Sequence, residues 1–214
     1  MSTAMATLSN RLSTDDNVMG AVVGVVGCGR WGMTHLKTLD ELKSRGLISE
    51  IHACDINPST EYEATKYADT FCTDWQTLVS NHQLDAVAIV TPVDTHHDLA
   101  LSILGHCRAL FIEKPIGLSE KEASSIIAKV QETGSKLLVG HILRFHGAIN
   151  EAMKLISSGE IGELQRIEFN RITTRQPPDN PNIFEAMAIH GIDTACYTFG
   201  ELEPSRLSVS NLIL

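Results

Sequence analysis

Short apolar runs that alternate with helical patterns constrain the fold of this 214-residue chain more than any other feature. Five such runs lie before residue 140: Ala21–Val26, Ile51–Cys54, Ala86–Val90, Leu110–Ile112 and Leu137–Val139. Strands that are apolar on both faces are typical of a parallel sheet covered by helices on both sides. The pattern therefore predicts an α/β domain with a parallel sheet over residues 18–140.

Capping patterns mark the ends of the predicted helices. Ser119 with Glu122, and Thr95 with Asp98, place a hydroxyl at the N-cap and a carboxylate three residues later. This arrangement predicts two capping boxes. Gly134 follows the helix that Ser119 begins, and it predicts the end of that helix.

The pattern changes after residue 140, which predicts a second, partial unit over residues 141–214. A helix is predicted around Ile149–Ile156, and the alternation of Gln165–Arg171 predicts a half-exposed strand typical of antiparallel sheets. A helix over Glu185–Phe199 and an apolar strand from Arg206 to the end follow. We therefore expect a truncated α+β domain with a mostly antiparallel open sheet.

The predicted last strand needs a partner. Its Leu207 and Val209 require a covering surface, and its edge requires a pairing strand. We expect this sheet to form a homodimer or a higher homo-oligomer. The alternative is that the chain is a fragment of a longer protein.

Composition excludes several classes of partner. The chain has 26 acidic and 17 basic residues, so its net charge of -9 argues against nucleic acid and anionic membrane surfaces as partners. No apolar run approaches the ~20 residues of a membrane-spanning helix. The five cysteines are irregularly spaced, which predicts reduced thiols and a cytoplasmic location. The polar first 17 residues predict a disordered tail, and no residue set has the spacing of a metal site.

Gly27-Cys28-Gly29-Arg30-Trp31-Gly32 is a G-x-G-x-x-G motif. It follows the first apolar run and opens a helical stretch, Trp31–Lys43, which is the context that dinucleotide binding requires. Gly27 permits the tight turn, Gly29 lets the backbone approach a pyrophosphate, and Gly32 lets the helix pack on the strand. We therefore expect phosphates to bind at the helix N-terminus.

Asp55 stands 23 residues after Gly32, at the end of the second apolar run. A carboxylate at this place accepts hydrogen bonds from both ribose hydroxyls of an adenosine and repels a 2′-phosphate, so the sequence predicts NAD rather than NADP. A methyltransferase stays open on these features alone, because other nucleoside cofactors use similar loops.

Five further segments carry a resemblance to a known family: Thr91–His96, Glu113-Lys114-Pro115, Gly140–Phe145, Gly159–Gly162 and His190–Asp193. In this order they resemble the Gfo/Idh/MocA oxidoreductases. The resemblance implies an NAD-binding Rossmann domain, a C-terminal domain whose open sheet forms dimers, and hydride transfer between NAD(H) and the carbinol carbon of a sugar, polyol or nucleotide sugar. The cofactor-binding residues that it implies, together with the motif residues above, are Gly27, Gly29, Arg30, Trp31, Gly32, Asp55, Thr91, Pro92, His96, Glu113 and Lys114.

The same resemblance implies a set of catalytic residues. Lys114 polarises the substrate hydroxyl, His190 accepts its proton, and Asp193, three residues on, orients the imidazole or contacts substrate. Substrate binding is expected from Lys114, Arg144 and His190. Many members carry Asp four residues before the motif histidine, where this chain has Ala186 with Glu185 one position away. This departure leaves a second hypothesis open, that of a catalytically inactive NAD-binding protein with a regulatory or structural role.

Overall fold

A six-stranded, all-parallel sheet forms the centre of the protein in the computed structural model, which describes residues 20–172 and 188–200. The strand order is β3-β2-β1-β4-β5-β6. The strands are β1 (Ala21–Val26), β2 (Ile48–Cys54), β3 (Thr70–Cys72), β4 (Leu84–Ile89), β5 (Cys107–Ile112) and β6 (Lys136–Val139). All five predicted strands are confirmed, and the three-residue β3 is an addition to them.

Helices connect the strands and continue after the sheet. They are α1 (Arg30–Ser44), α2 (Glu61–Ala64), α3 (Trp75–Asn81), α4 (His96–Ile103), α5 (Glu120–Thr133), α6 (Gly147–Ser157) and α7 (Ile189–Phe199). Short 3₁₀ turns cover Pro58–Thr60, Val93–Thr95 and Ile142–Phe145. Within the described ranges, no helix is long and apolar enough to cross a membrane.

Two apolar clusters cover the two faces of the sheet. Neighbouring residues of one strand enter different clusters: Val25 belongs to one and Val26 to the other, and Ala88 and Ile89 divide in the same way. This alternation explains why most of each strand is apolar, because side chains on both faces are buried. The prediction of a parallel sheet buried on both sides is confirmed.

The chain reverses its direction of winding next to β1. β1 pairs with β2 on one side and with β4 on the other, so the chain crosses from one half of the sheet to the other between β3 and β4. In open α/β sheets the carboxyl ends of the strands at such a point form a crevice that binds ligands. Segments that follow β1, β2, β4 and β5 therefore converge at this edge.

One of the two predicted capping boxes forms in its N-cap half only, because the Glu122 carboxylate accepts a hydrogen bond from the Leu118 N–H rather than from the Ser119 N–H. The Ser119 hydroxyl accepts a hydrogen bond from the Glu122 backbone N–H, and Gly134 ends α5 with a positive φ of 69°. The prediction for Thr95 was wrong, because its hydroxyl donates instead to Pro92 O and to the Thr91 hydroxyl. A 3₁₀ turn leads into α4 and leaves Thr95 in a helical conformation, which an N-cap does not adopt.

The second unit is described only in part. The predicted helix around Ile149–Ile156 is confirmed as α6, but residues 165–171 form no strand within the described ranges. Alternation gives such a segment a half-exposed face, but a strand also needs a partner for its ladder. The disordered tail, the pair Glu185 and Ala186, and the last strand from Arg206 lie outside the described residues.

Candidate active site

The glycine loop joins β1 to the N-terminus of α1. Gly27 has φ +98°, and a Cβ there would lie 2.6 Å from Val90 O, so only glycine fits this turn beside β4. A Cβ at Gly29 would meet nothing within 4 Å, which leaves open space above the loop. α1 begins with no side-chain cap and no acidic residue in its first turn. Its first N–H groups can therefore bind an anion.

Asp55 follows β2 and is held against the glycine loop. Its carboxylate accepts hydrogen bonds from the backbone N–H groups of Cys28, at 2.6 Å, and Asn57, at 2.8 Å. These two bonds use one lone pair on each oxygen and fix the orientation of the carboxylate. The remaining lone pairs can accept ribose hydroxyls.

His96 links the loops that follow β4 and β5. Its ring is 1% exposed, and its nitrogens lie 2.8 Å from Pro115 O and 2.9 Å from Thr91 O. Both nitrogens therefore face backbone carbonyls, and the ring presents neither to a cofactor. The expectation of direct cofactor contact is corrected here to a structural role, because burial on α4 places the ring beneath the two loops.

Glu113 ends β5 at the centre of the carboxyl edge. Its carboxylate lies 2.9 Å from His35 Nε2 and accepts a hydrogen bond from the Lys114 N–H. Burial alone would raise the pKa of Glu113, but the hydrogen bond and charge of His35, and then Lys114, lower it overall. A Cβ at Gly140 would lie 3.1 Å from the Glu113 carboxylate, so glycine there permits this packing. The Lys114-Pro115 peptide bond is cis.

Residues of α1 and of the segments after β5 and β6 line a cleft of about 400 Å³. It brings together two of the predicted catalytic side chains, Lys114 from the end of β5 and His190 from α7. The other residues that line it come from α1, from the segments after β5 and β6, and from the segment before residue 172: Trp31, Thr34, His35, Thr38, Glu113, Gly140, Ile142 and Arg171.

Two buried imidazoles lie near Lys114. Burial lowers the pKa of His190, and the positive charges of Lys114 and Arg171 lower it further. Burial also lowers the pKa of His141, where Asp193 partly opposes the effect. Both rings are therefore kept neutral to a lower pH than a free histidine. A neutral imidazole is able to accept a proton.

Asp193 pairs with Arg144 rather than with His190. The Arg144 guanidinium donates to the Asp193 carboxylate through Nε, at 3.0 and 3.1 Å, and through Nη2, at 2.6 Å. The Asp193 side chain is 7% exposed, and its hydrogen bonds raise the pKa of Arg144 further. The hypothesis that Asp193 orients the His190 ring is corrected, because the 3₁₀ turn after β6 brings a guanidinium to this carboxylate.

Comparison with known proteins identifies the family. The sequence model of the Gfo/Idh/MocA family, described as an oxidoreductase family with an NAD-binding Rossmann fold, matches residues 21–141. The chain belongs to the Gfo/Idh/MocA family. A methyltransferase is thereby excluded, and the Rossmann fold that the sequence predicts is confirmed.

Relatives within the Gfo/Idh/MocA family include inositol dehydrogenases. Inositol 2-dehydrogenase of Rhizobium meliloti (strain 1021) is 31% identical over 202 residues, which are 89% of this chain and 58% of that protein. The scyllo-inositol 2-dehydrogenase (NAD(+)) of Bacillus subtilis (strain 168) is 31% identical, over 82% of this chain and 53% of that protein. The chain thus spans just over half the length of these relatives.

A solved structure shares the fold. Scyllo-inositol dehydrogenase from Lactobacillus casei, with bound NAD(H) and scyllo-inositol, superposes with a TM-score of 0.61 at 27% identity. The superposition covers 67% of this chain and 42% of that one. The structural neighbour therefore supports the family assignment made from the sequence.

Some residues of this Gfo/Idh/MocA site were missed at the level of sequence. His35 received no role in the site, yet it contacts Glu113 and lines the cleft. His141 received no role, although its buried Nδ1 lies 3.5 Å from the Asp193 carboxylate and makes no hydrogen bond within the described ranges. The sequence did contain a signal for His141. It directly follows Gly140, where a side chain would collide with the Glu113 carboxylate. Arg171 had no comparable signal, since it lies far from every glycine motif.

Proposed function

We propose that this protein is an NAD(H)-dependent oxidoreductase that transfers a hydride between nicotinamide and the carbinol carbon of a polyol or sugar. The observation that carries the proposal is the convergence of the glycine loop, Asp55 and Lys114 with His190 at the carboxyl edge of one sheet. Inositol dehydrogenases among the relatives support the substrate class. Because the chain spans about half of those relatives, the activity is a proposal for this chain.

The residues at the sheet edge fit a dinucleotide. The uncapped N-terminus of α1 would bind the pyrophosphate, aided by the open space over Gly29. Asp55 would hold the adenosine ribose, and its negative charge would exclude a 2′-phosphate. Thr91 and Pro92, with the side chains of Arg30 and Trp31, would border the remaining length of the cofactor. When bound, nicotinamide supplies the hydride acceptor or donor.

The reaction also needs a proton acceptor and a stabilised oxyanion. In oxidation, the carbinol carbon loses a hydride while its hydroxyl loses a proton, and we assign that proton to His190. The lowered pKa of His190 keeps its ring neutral and able to accept the proton. The Lys114 ammonium would stabilise the negative charge that develops on the substrate oxygen. In reduction, the same two groups act in reverse.

Arg144 is proposed to position the site and to contact substrate at its edge. Its side chain is 42% exposed, while Nε and Nη2 hold Asp193. The ion pair fixes α7, which carries His190, against the turn that follows β6. Asp193 therefore acts on His190 through the placement of its helix.

Residues 141–214 are proposed to form part of a substrate-binding and dimerisation domain with a mostly antiparallel sheet, and residues 18–140 the cofactor domain. Exposed apolar side chains in the described part of the second unit support a covering partner, among them Ile142, Phe145 and Ile192 at 52%, 68% and 54% exposure. A homodimer would cover the same patch on both chains. Sedimentation at micromolar concentration tests this, and a monomer would contradict it.

Kinetics of a Lys114→Ala variant test the proposed function. Substrates are myo-inositol and scyllo-inositol with NAD⁺, and Lys121→Ala on the exposed first turn of α5 is the matched control. We expect kcat to fall by about 10²–10³, as for loss of an oxyanion donor, with the Kd for NADH nearly unchanged. Unchanged turnover in Lys114→Ala would contradict the assignment, and an equal loss in Lys121→Ala would show that the effect is not specific to the site.

A further inference from the structure

A second cluster of ligand-type side chains lies outside the proposed cofactor site. Glu50 and His52 are two residues apart on β2, so both project from the same face of the sheet. His82 follows α3 at its C-terminal end. The carboxylate and imidazole atoms of these three residues all lie within 4.8 Å of one another.

One ring nitrogen of the buried His52 side chain has a hydrogen-bond partner, and the other has none among the described residues. Its residue is 1% exposed, and Nδ1 lies 2.9 Å from the hydroxyl of Thr70 on the paired strand β3. Nε2 is buried and has no hydrogen-bond partner within the described ranges, although Glu50 Oε2 lies 3.1 Å away. A buried polar atom without a partner is uncommon and costly. Nε2 therefore faces the Glu50 carboxylate of the cluster.

The second imidazole lies directly against the first. The rings of His52 and His82 are stacked with centroids 3.5 Å apart and 16° between their planes. A shared ion must lie near both ring planes, so His82 has to turn. His82 is only half-buried at the end of its helix.

We propose that Glu50, His52 and His82 bind a divalent transition-metal ion of the Zn²⁺ class, with water as a further ligand. Two imidazoles and one carboxylate suit Zn²⁺, and an open fourth position is common in such sites. Thr70 would act as the outer partner that fixes the tautomer and orientation of His52. The nearby Asp69 carboxylate does not compete, because it is engaged by Lys43 and by the Ile51 N–H.

The site is separate from the proposed active site. His52 on β2 lies three residues before Asp55, which follows that strand, a distance of about 10 Å. A bound ion would tie the end of α3 to β2 and stabilise that edge of the sheet. Sequence spacing did not predict it, because the third ligand lies 30 residues beyond the second and only the packing of α3 brings it near.

Calorimetric titration of the untagged protein with Zn²⁺ tests the proposal. We expect one ion per chain, and binding at least about tenfold weaker in His82→Gln and in Glu50→Gln, since each loses a ligand. Both side chains are partly exposed, so these variants keep the test valid if the buried His52→Gln fails to fold. His106→Gln, an exposed histidine outside the cluster, is the matched control and should bind like wild type.

Two further measurements separate this site from its rivals. Thr70→Val should weaken Zn²⁺ binding by about 10–100-fold although it removes no ligand. The absorption spectrum of the Co²⁺-loaded protein should lack thiolate charge-transfer bands. The proposal is overturned if wild type binds no Zn²⁺, if His82→Gln and Glu50→Gln bind like wild type, or if thiolate bands show that cysteines hold the ion.

Discussion

Breaking the Arg144–Asp193 ion pair tests how the site is held together. Asp193→Asn keeps the shape of the side chain but removes its charge, and it leaves the guanidinium opposed by an amide. Removing one partner of a buried ion pair lowers the free energy of unfolding by about 3–5 kcal/mol, and an exposed pair contributes only about 0.2–1 kcal/mol. Because Asp193 is 7% exposed and Arg144 is 42% exposed, we expect a loss of about 1–3 kcal/mol in the free energy of unfolding.

A double-mutant cycle isolates this pair. Urea unfolding of Arg144→Gln, Asp193→Asn and the double variant should give a coupling free energy of about 1–3 kcal/mol. The exposed pair Glu151–Lys154 on α6 is the control. Its coupling should stay below about 1 kcal/mol.

The titration of His141 gives a readout that packing loss alone would not change. Asp193 raises the pKa of His141 and Arg144 lowers it, although burial is the largest cause of the overall decrease. Asp193→Asn should therefore lower the pKa of His141 further, and Arg144→Gln should raise it. NMR titration of the imidazole measures both. Additive unfolding energies, or shifts in the same direction in both variants, would refute the ion-pair account.

Two other predictions concern the cofactor and the response to pH. Asp55→Ala should weaken NADH binding by about 10–100-fold in calorimetry, because charge-assisted hydrogen bonds of about 1.5–3 kcal/mol are lost. The same variant should bind NADH with a smaller preference over NADPH than wild type does. Tighter binding of NADPH than NADH by wild type would contradict the role of Asp55. Burial lowers the pKa of His52, His141 and His190, so these imidazoles bind protons more weakly in the folded than in the unfolded chain. Their contribution to stability is therefore complete above the unfolded pKa near 6.5 and is lost as the pH falls below it. Urea unfolding from about pH 7.5 to about pH 5.5 should show the free energy of unfolding decrease. The dependence of this free energy on pH should be weaker in His52→Gln, and an unchanged dependence in that variant would contradict the prediction.

The sequence predicts the sheet well because burial on both faces leaves a direct mark on it. Each long strand contains a mostly apolar run, and Gly27 and Gly32 stand where a strand meets a helix. β3 was missed because three residues carry too little pattern. The predicted strand at residues 165–171 stays a prediction, because a strand also requires a neighbour and the predicted last strand lies outside the described residues.

The errors at the site have a common cause. Asp193 was assigned to His190 because the two residues are three apart on one helix, whereas its partner Arg144 lies 49 residues away along the chain. His96 follows a strand end and was expected at the cofactor, but its helix turns the ring inward. Local spacing identifies which residues carry the chemistry, but tertiary packing decides which of them meet.

A crystal structure of the protein with NADH bound tests the central claim most directly. We predict that the pyrophosphate lies over the N-terminus of α1, that the adenosine ribose hydroxyls contact Asp55, and that the nicotinamide lies in the cleft beside Lys114 and His190. A cofactor bound elsewhere on the chain, or a nicotinamide ring remote from both side chains, would contradict the account.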